Sequence, residues 1–209
     1  MTKFQTFFFL LFPLFACSQT TTKQVSDAKT STIKGIWKTF DQPNYSIQYP
    51  LSWDLNQNGQ MGTSFIILSP RESEQDKFSE NVNLVIQDMT GKDIDLDKYS
   101  KISEEQIKTL LTNSVIIESK SFKKDNAEYR KFIYTADQGI FHLKTEQYYW
   151  VIKEKAYVLT FTSEQNKYAD YVEIGEKIMN YKLNKTTEIL RTLRFTEINS
   201  FSVFSEPPW

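Results

Sequence analysis

The chain of 209 residues contains a single Cys and a single His. This scarcity excludes zinc sites that are built from several Cys and His ligands, and it excludes a disulfide within the chain. Arginine is also scarce, with 4 Arg among 25 basic residues, and the formal net charge is −1. Nucleic-acid-binding proteins carry a basic excess and use Arg to read phosphate and guanine, so the composition argues against a nucleic-acid partner.

The sequence does contain enough apolar material for a folded core. Hydrophobic residues make up 40% of the chain and aromatic residues 15%, whereas disordered chains are poor in both. The length suits one domain of ordinary size, and no internal repeat of useful length is present. The 6 Gly residues match neither the dinucleotide-binding nor the P-loop spacing, and we predict no cofactor.

Residues 1–16 have the pattern of a secretory signal peptide, with Lys3 ahead of a short apolar stretch. The stretch is shorter than the roughly 20 residues that a transmembrane helix needs. It ends in Leu-Phe-Ala-Cys at residues 14–17, which resembles a bacterial lipobox, although Phe15 is larger than the residue usual at that place. The resemblance implies a lipoprotein whose Cys17 carries acyl chains such as palmitate. The alternative is an ordinary cleaved signal with an incidental Cys.

Residues 17–35 predict a flexible, hydrated tether, because 8 of them are Ser or Thr and little can be buried before Ile33. We therefore expect a domain anchored by lipid to a membrane of the cell envelope that faces the periplasm. By resemblance to lipoprotein sorting rules, Ser18 in place of Asp favours the outer membrane. An acylated Cys17 would leave no free thiol for catalysis.

Residues 36–195 predict one folded domain, followed by a C-terminal tail at 196–209. Helical spacing of apolar residues predicts one helix that begins after Asp95 or Asp97, and a second that begins near Asn166. Tight turns between the later strands predict an antiparallel meander. The strands are predicted from alternating or continuous apolar runs at 45–49, 65–68, 82–86, 115–117, 129–136, 141–151 and 157–162.

The order of these elements resembles that of PsbP-like domains. Residues 45–53 read Tyr-Ser-Ile-Gln-Tyr-Pro-Leu-Ser-Trp, and many such domains open with a Tyr-x-Ile-x-Tyr-Pro strand followed by Trp. The segments 81–84, 157–162 and 193–195 resemble later parts of the pattern. The resemblance implies an α+β fold, in which an antiparallel sheet has helices packed on its faces as an α/β/α sandwich. The relatives are generally non-enzymatic and serve assembly, stability or interaction, so no ligand residue is implied.

A calcium site is a weak candidate on the sequence. The residues Asp93, Asp95, Asp97 and Glu104 occupy positions 1, 3, 5 and 12 of an EF-hand loop. Position 6 is Lys98, however, where the sharp turn of that loop needs Gly. The alternative is that these carboxylates cap a helix and interact with its positive N-terminal end. We predict no metal site.

His142 lies on a predicted strand, and no Gly-x-Ser-x-Gly turn supplies a nucleophile for it. We therefore expect no catalytic residue and no enzyme, but a lipid-anchored envelope domain that binds a protein partner or supports assembly. Trp150 and Trp209 are candidates for an exposed contact surface, with packing on the sheet as the alternative. A second hypothesis is a small-ligand or metal-binding module that uses a cleft between sheet and helix. An envelope hydrolase that uses His142 is the least favoured.

Overall fold

The computed structural model describes residues 36–43, 45–124 and 127–179. The predicted signal peptide, tether and tail lie outside the described residues, together with Cys17 and Trp209.

The strands of the described chain are β1 Trp37–Gln42, β2 Tyr45–Pro50, β3 Asp54–Asn56, β4 Thr63–Leu68, β5 Asn81–Asp88, β6 Thr112–Lys124, β7 Ala127–Gln138, β8 Phe141–Ile152 and β9 Lys155–Glu164. Seven of them form one antiparallel sheet in the order β3-β4-β5-β9-β8-β7-β6. Strands β1 and β2 pair with each other in a separate two-stranded sheet. The predicted strands are confirmed, whereas β1 and β3 are elements that the pattern did not predict.

The last four strands form the predicted meander because tight turns connect them. Gly139 has a φ of 60° in the turn between β7 and β8, a conformation that Gly adopts without a Cβ clash. Lys153 and Glu154 have φ values of 48° and 56° between β8 and β9, as a two-residue hairpin turn of type I′ requires. Strand β9 then pairs with β5, so that β5, β9 and β8 lie at the centre of the sheet.

Helix α1, Leu96–Leu110, packs on one face of the sheet, which we call the α1 face. Its N-cap is Asp95, whose side chain accepts a hydrogen bond of 2.8 Å from the backbone N–H of Lys98. Tyr99 and Ile107 point into the core beneath the helix. The other members of this core are Met89, Phe132, Tyr134, Tyr149, Ala156 and Val158.

The opposite face, which we call the α2 face, is covered by a second helix and by the two-stranded sheet. This helix, α2, covers residues 168–179 of the described chain. Gly175 lets it approach the sheet closely, since a Cβ added there would lie 2.7 Å from the ring of Phe161. The larger core lies here, with members that include Ile47, Trp53, Phe65, Leu84, Trp150, Leu159, Phe161, Ile174 and Ile178. One sheet between helices confirms the predicted α/β/α sandwich.

Trp150 does not form an exposed contact surface, and that prediction is wrong. Its side chain is 3% exposed and stacks on Tyr148 with ring centroids 6.2 Å apart. The alternative, packing on the sheet, is the observed arrangement.

In the part of the chain that the structure describes, no helix has the length and apolar character needed to cross a membrane.

Candidate functional site

A cleft of about 420 Å³ lies between the sheet and the C-terminal half of α1. Its volume falls within the range of about 300–1,000 Å³ that is typical of small-molecule sites. The side chains of Gln106, Ile107 and Leu110 line it from the helix. The turn around Gly139 and the side chain of Phe78 also contribute to its walls. The site is therefore on the α1 face.

Two rows of polar side chains cross the central strands and line this cleft. The backbone register places Asn83 of β5 opposite Thr160 of β9, and Thr160 opposite Gln147 of β8. All three side chains are buried. Side chains directly opposite each other on adjacent strands have Cβ atoms about 5 Å apart, so each row is continuous. The neighbouring row is formed by Asn81, Thr162 and Thr145.

Hydrogen bonds join most of these polar groups to one another. Tyr149 donates its hydroxyl to Gln147 Oε1, and Gln147 Nε2 donates to Thr160 Oγ1 at 3.1 Å. Asn83 Nδ2 donates to Asn81 Oδ1 at 3.3 Å. Asn83 Oδ1 is buried and has no hydrogen-bond partner among the described residues. An unpartnered buried acceptor is rare in folded proteins, which makes this atom the main polar feature of the cleft.

The cleft carries almost no charge. Asp137 is the one acidic residue among its described lining residues, and Lys, Arg and His are absent from them. Hydrogen bonds from the side chains of Asn113 and His142, both at 2.6 Å, lower the pKa of Asp137. Burial raises the pKa of Tyr134, which keeps its hydroxyl protonated. The described lining is therefore rich in amides and hydroxyls, which are groups that can form hydrogen bonds with a ligand.

Phe78 is held in the cleft wall by an ion-pair cluster outside it. Its backbone N–H donates to Asp76 Oδ1 at 3.1 Å, and Lys167 Nζ donates to Asp76 Oδ2 at 3.0 Å. Burial opposes ionisation of Asp76, but hydrogen bonds from the Glu72 backbone N–H and from Lys167 outweigh it and lower the pKa of Asp76. This contribution to stability is present above the usual pKa of 3.8 and is lost as the pH falls through the lowered value.

Glu80 adjoins this cluster and is fully buried. Ser69 donates to its Oε2 atom at 3.0 Å, whereas Oε1 has no partner among the described residues. Burial raises the pKa of Glu80 above its usual value of 4.5, since the attraction of Lys167 does not compensate. The ionised form therefore costs stability at neutral pH, and this cost disappears as the pH falls through the raised pKa towards 4.5.

Glu80→Gln is expected to stabilise the protein at pH 7 by about 1 kcal/mol, because it removes a charge that burial disfavours. The difference in unfolding free energy between the variant and the parent should decrease as the pH falls towards 4.5. Urea denaturation across this pH range measures it. Glu74→Gln is the matched control, because Glu74 is exposed in the same loop. A variant that is less stable than the parent at pH 7 would contradict this account of Glu80.

A second carboxylate is buried on the opposite, α2 face. Glu146 is 0% exposed and lies 2.6 Å from Lys131 Nζ. Tyr148 and Tyr168 donate their hydroxyls to its two oxygens at 2.8 and 3.0 Å. Burial and the adjacent Glu146 charge raise the pKa of both tyrosines, which keeps them protonated donors. The Glu146 carboxylate is thus saturated by its neighbours, and its role is to join α2 to the sheet.

The weak calcium candidates are each engaged locally. Asp93 pairs with Lys98 at 3.0 Å, Glu104 with Lys108 at 2.6 Å, and Asp97 with Arg130 at 2.6 Å. Asp95 caps α1, as the capping alternative predicted for Asp95 or Asp97. Over residues 36–179, apart from the undescribed positions, no group of three or more His, Cys, Asp and Glu side chains is arranged to hold a metal ion.

His142 lies at the outer end of β8, beside the turn at Gly139. Its side chain is 76% exposed, and its Nδ1 atom is 2.6 Å from Asp137 Oδ1. Asp137 is the one hydrogen-bond partner of the His142 side chain among the described residues, and it offers a carboxylate and not a Ser or Cys nucleophile. Because Asp137 lines the cleft and contacts His142, the His142 side chain lies at the rim of the cleft.

The sequence did not identify Asn83, Thr160 and Gln147 as site residues. Each lies in a segment that was correctly predicted as a strand, and Gln147 shares the predicted face of Leu143 and Tyr149. The available signal was the unusual density of Asn, Gln and Thr in the three central strands. It was not usable on its own, because the pairing of β5 with β9 joins segments that are far apart in the chain.

No protein-family model matches the chain, and no curated protein is similar to it in sequence. Solved structures that share its fold include the following two. The solution structure of cyanobacterial PsbP (CyanoP) from Synechocystis sp. PCC 6803 is 12% identical, with a TM-score of 0.53 over 75% of this chain and 96% of that one. The crystal structure of LpqN, involved in cell envelope biogenesis of Mycobacterium tuberculosis, is 12% identical, with a TM-score of 0.54 over 70% and 90%. The predicted PsbP-like fold is confirmed.

Proposed function

We propose that this protein is a lipid-anchored domain of the bacterial cell envelope that acts by non-covalent binding and not as an enzyme. The observation that carries the proposal is the lining of the cleft, whose described residues supply amides and hydroxyls but no Ser, Cys, His or Lys as a nucleophile or general base. Catalysis of acyl or glycosyl transfer needs such groups within hydrogen-bond reach of each other. Binding needs only complementary polar groups and an apolar wall.

The sequence of the N-terminal segment supports the location. The single Cys of the chain follows Leu-Phe-Ala at the place where a lipobox needs it, and a Ser/Thr-rich segment follows. Several acyl chains on Cys17 would contribute about 0.8 kcal/mol for each buried methylene, enough for stable anchoring without a basic surface. The fold shared with LpqN, a protein involved in cell envelope biogenesis of Mycobacterium tuberculosis, supports an envelope location.

A protein partner is the first candidate for the bound molecule. Strand β6 is an edge of the sheet, and it carries Val115 and Ile117 with 58% and 55% of their surfaces exposed. An edge strand with exposed apolar side chains is a template for interaction with another chain. Support of an envelope assembly through this edge fits the proposed role. A small ligand in the cleft is the second candidate, and the unpartnered Asn83 Oδ1 favours it.

Cys17→Ser is expected to abolish incorporation of labelled palmitate and to release the protein from the membrane fraction, because the acyl chains are the proposed anchor. The measurement is metabolic labelling followed by fractionation of cells that produce the full chain. Ser18→Ala is the matched control and should keep both label and location. Labelling or membrane association that survives Cys17→Ser would overturn the proposed anchor.

The protein partner is tested by crosslinking in intact cells and recovery in mild detergent. The anchored protein should recover a defined envelope protein, and Val115→Lys with Ile117→Lys should reduce the yield because charge is placed on the exposed edge. A yield that does not exceed the Cys17→Ser control would remove the support for an envelope partner.

A further inference from the structure

The cleft is lined by a buried acceptor that the described residues do not use. Asn83 is 2% exposed, and its Oδ1 atom has no hydrogen-bond partner among the described residues. Buried polar atoms in folded proteins nearly always have a partner, because an unpartnered one keeps the cost of losing water. An exception that lines a cleft therefore points to a bound molecule that supplies the missing donor.

The side-chain amide of Asn81 determines whether the unpartnered atom of Asn83 is its oxygen or its nitrogen. Asn81 Nδ2 donates to the backbone carbonyl of Ser79 at 3.2 Å, so Asn81 Oδ1 faces Asn83 and accepts its Nδ2 at 3.3 Å. Rotating the Asn83 amide by half a turn would place two acceptor oxygens against each other. The unpartnered atom is thus an oxygen, and the ligand must donate to it.

The adjacent strand supplies a complementary group. Thr160, directly opposite Asn83 in the register, accepts a hydrogen bond from Gln147 at 3.1 Å. Since its oxygen is used as an acceptor, the hydroxyl hydrogen of Thr160 remains for an acceptor on the ligand. A hydroxyl or an amide carries a donor and an acceptor close together, as this pair of side chains requires.

The charges around the cleft restrict the ligand further. A bound anion or cation would lose its water and need an opposite charge in return. Asp137 is the one Lys, Arg, His, Asp or Glu among the described lining residues, and it already accepts from Asn113 and His142. The described lining therefore offers no positive side chain to a bound anion, and its one carboxylate is already paired when a cation binds.

We propose that the cleft binds an uncharged ligand whose hydroxyl or amide group donates a hydrogen bond to Asn83 Oδ1 and accepts one from Thr160. Its apolar part packs against Phe78, Ile107 and Leu143, which line the same cleft. This inference rests on the proposed binding function and names the class of ligand for that site.

The experiment is a titration of the full chain in detergent micelles, followed through the side-chain amide NMR signals of Asn83 and Gln147. The uncharged probes are N-acetylglucosamine, glucose and N-acetylglycinamide, and their charged counterparts are glucosamine, glucuronate and N-acetylglycine. At least one uncharged probe should shift the Asn83 signal to saturation. Its charged counterpart should bind about tenfold more weakly or worse, because it must lose its hydration without compensation.

Asn83→Leu should weaken the binding of the uncharged probe about tenfold or more, since the leucine offers no acceptor. Ser46→Ala is the control, because Ser46 also carries a buried unpartnered oxygen but does not line the cleft. That variant should bind the probe as the parent does.

Three results would each overturn the inference: no uncharged probe saturates the folded protein, a charged probe binds more tightly than its uncharged counterpart, or folded Asn83→Leu binds as well as the parent. The first result would mean that solvent alone occupies the cleft. None of these results bears on the acylation of Cys17. The proposed lipid anchor and the proposed cleft ligand are therefore tested independently of each other.

Discussion

Lys131→Met is expected to destabilise the domain by about 3–5 kcal/mol, because it leaves a buried carboxylate without its cation. Glu146 is 0% exposed and 2.6 Å from Lys131 Nζ, and Lys131 is itself mostly buried. The hydroxyls of Tyr148 and Tyr168 still donate to Glu146 in the variant, but hydrogen bonds alone do not replace the lost charge. Chemical denaturation followed by circular dichroism measures the loss.

The double variant Lys131→Met, Glu146→Leu should recover part of this loss, because it removes both buried charges. The recovery is incomplete because the hydroxyls of Tyr148 and Tyr168 lose their acceptor. Lys120→Met is the matched single control. Lys120 lies opposite Lys131 in the register, but the Lys120 side chain is exposed, so its pair with Glu118 should contribute less than about 1 kcal/mol. Equal losses for Lys131→Met and Lys120→Met would show that burial does not strengthen the Glu146 pair.

Gly175→Val is expected to destabilise the domain by about 2–3 kcal/mol through overpacking. A Cβ at this position would lie 2.7–2.9 Å from three ring atoms of Phe161, which is fully buried and has no room to retreat. An ordinary helix position would respond in the opposite direction, because Gly is one of the weakest helix formers. The sign of the change in unfolding free energy therefore distinguishes close helix–sheet contact from simple helix propensity.

Glu173→Val provides the control on the same helix, where the side chain is exposed. Its effect should stay within about 0.5 kcal/mol, as for most surface substitutions. Thermal and urea denaturation of both variants make the comparison. If Gly175→Val matched this control or stabilised the protein, the close approach of α2 to Phe161 would be refuted.

The predicted elements and the observed elements agree where the pattern is local. The alternation in 45–49 predicted a strand, and β2 is Tyr45–Pro50. Asp95 stands at the start of an amphipathic segment, and it caps α1. The pattern missed β1 and β3, because β3 has three residues and β1 carries little alternation of buried and exposed side chains.

The predicted site residues agree less well, because their roles depend on what covers the sheet. Both faces of the central strands are buried, so a polar residue in an alternating pattern does not have to face water. Asn83 and Glu146 are both buried, on opposite faces. Trp150 shares one face of β8 with Lys144 and Glu146, and α2 with the two-stranded sheet covers that face. Exposure could not be inferred from alternation in a sheet that is covered on both faces.

The sequence by itself determined the class of fold and the order of most elements, because capping, turns and apolar periodicity act over a few residues. It also carries the lipobox-like Leu-Phe-Ala-Cys at residues 14–17 and the Ser/Thr-rich segment 17–35, on which the proposed anchor depends. Only the tertiary structure decided where the polar groups meet. Asn83 comes beside Thr160 because β9 pairs with β5 across the chain, and Gln147 joins them through the β8–β9 hairpin. The register between distant strands thus produced the cleft and its unpartnered oxygen, which no local pattern encodes.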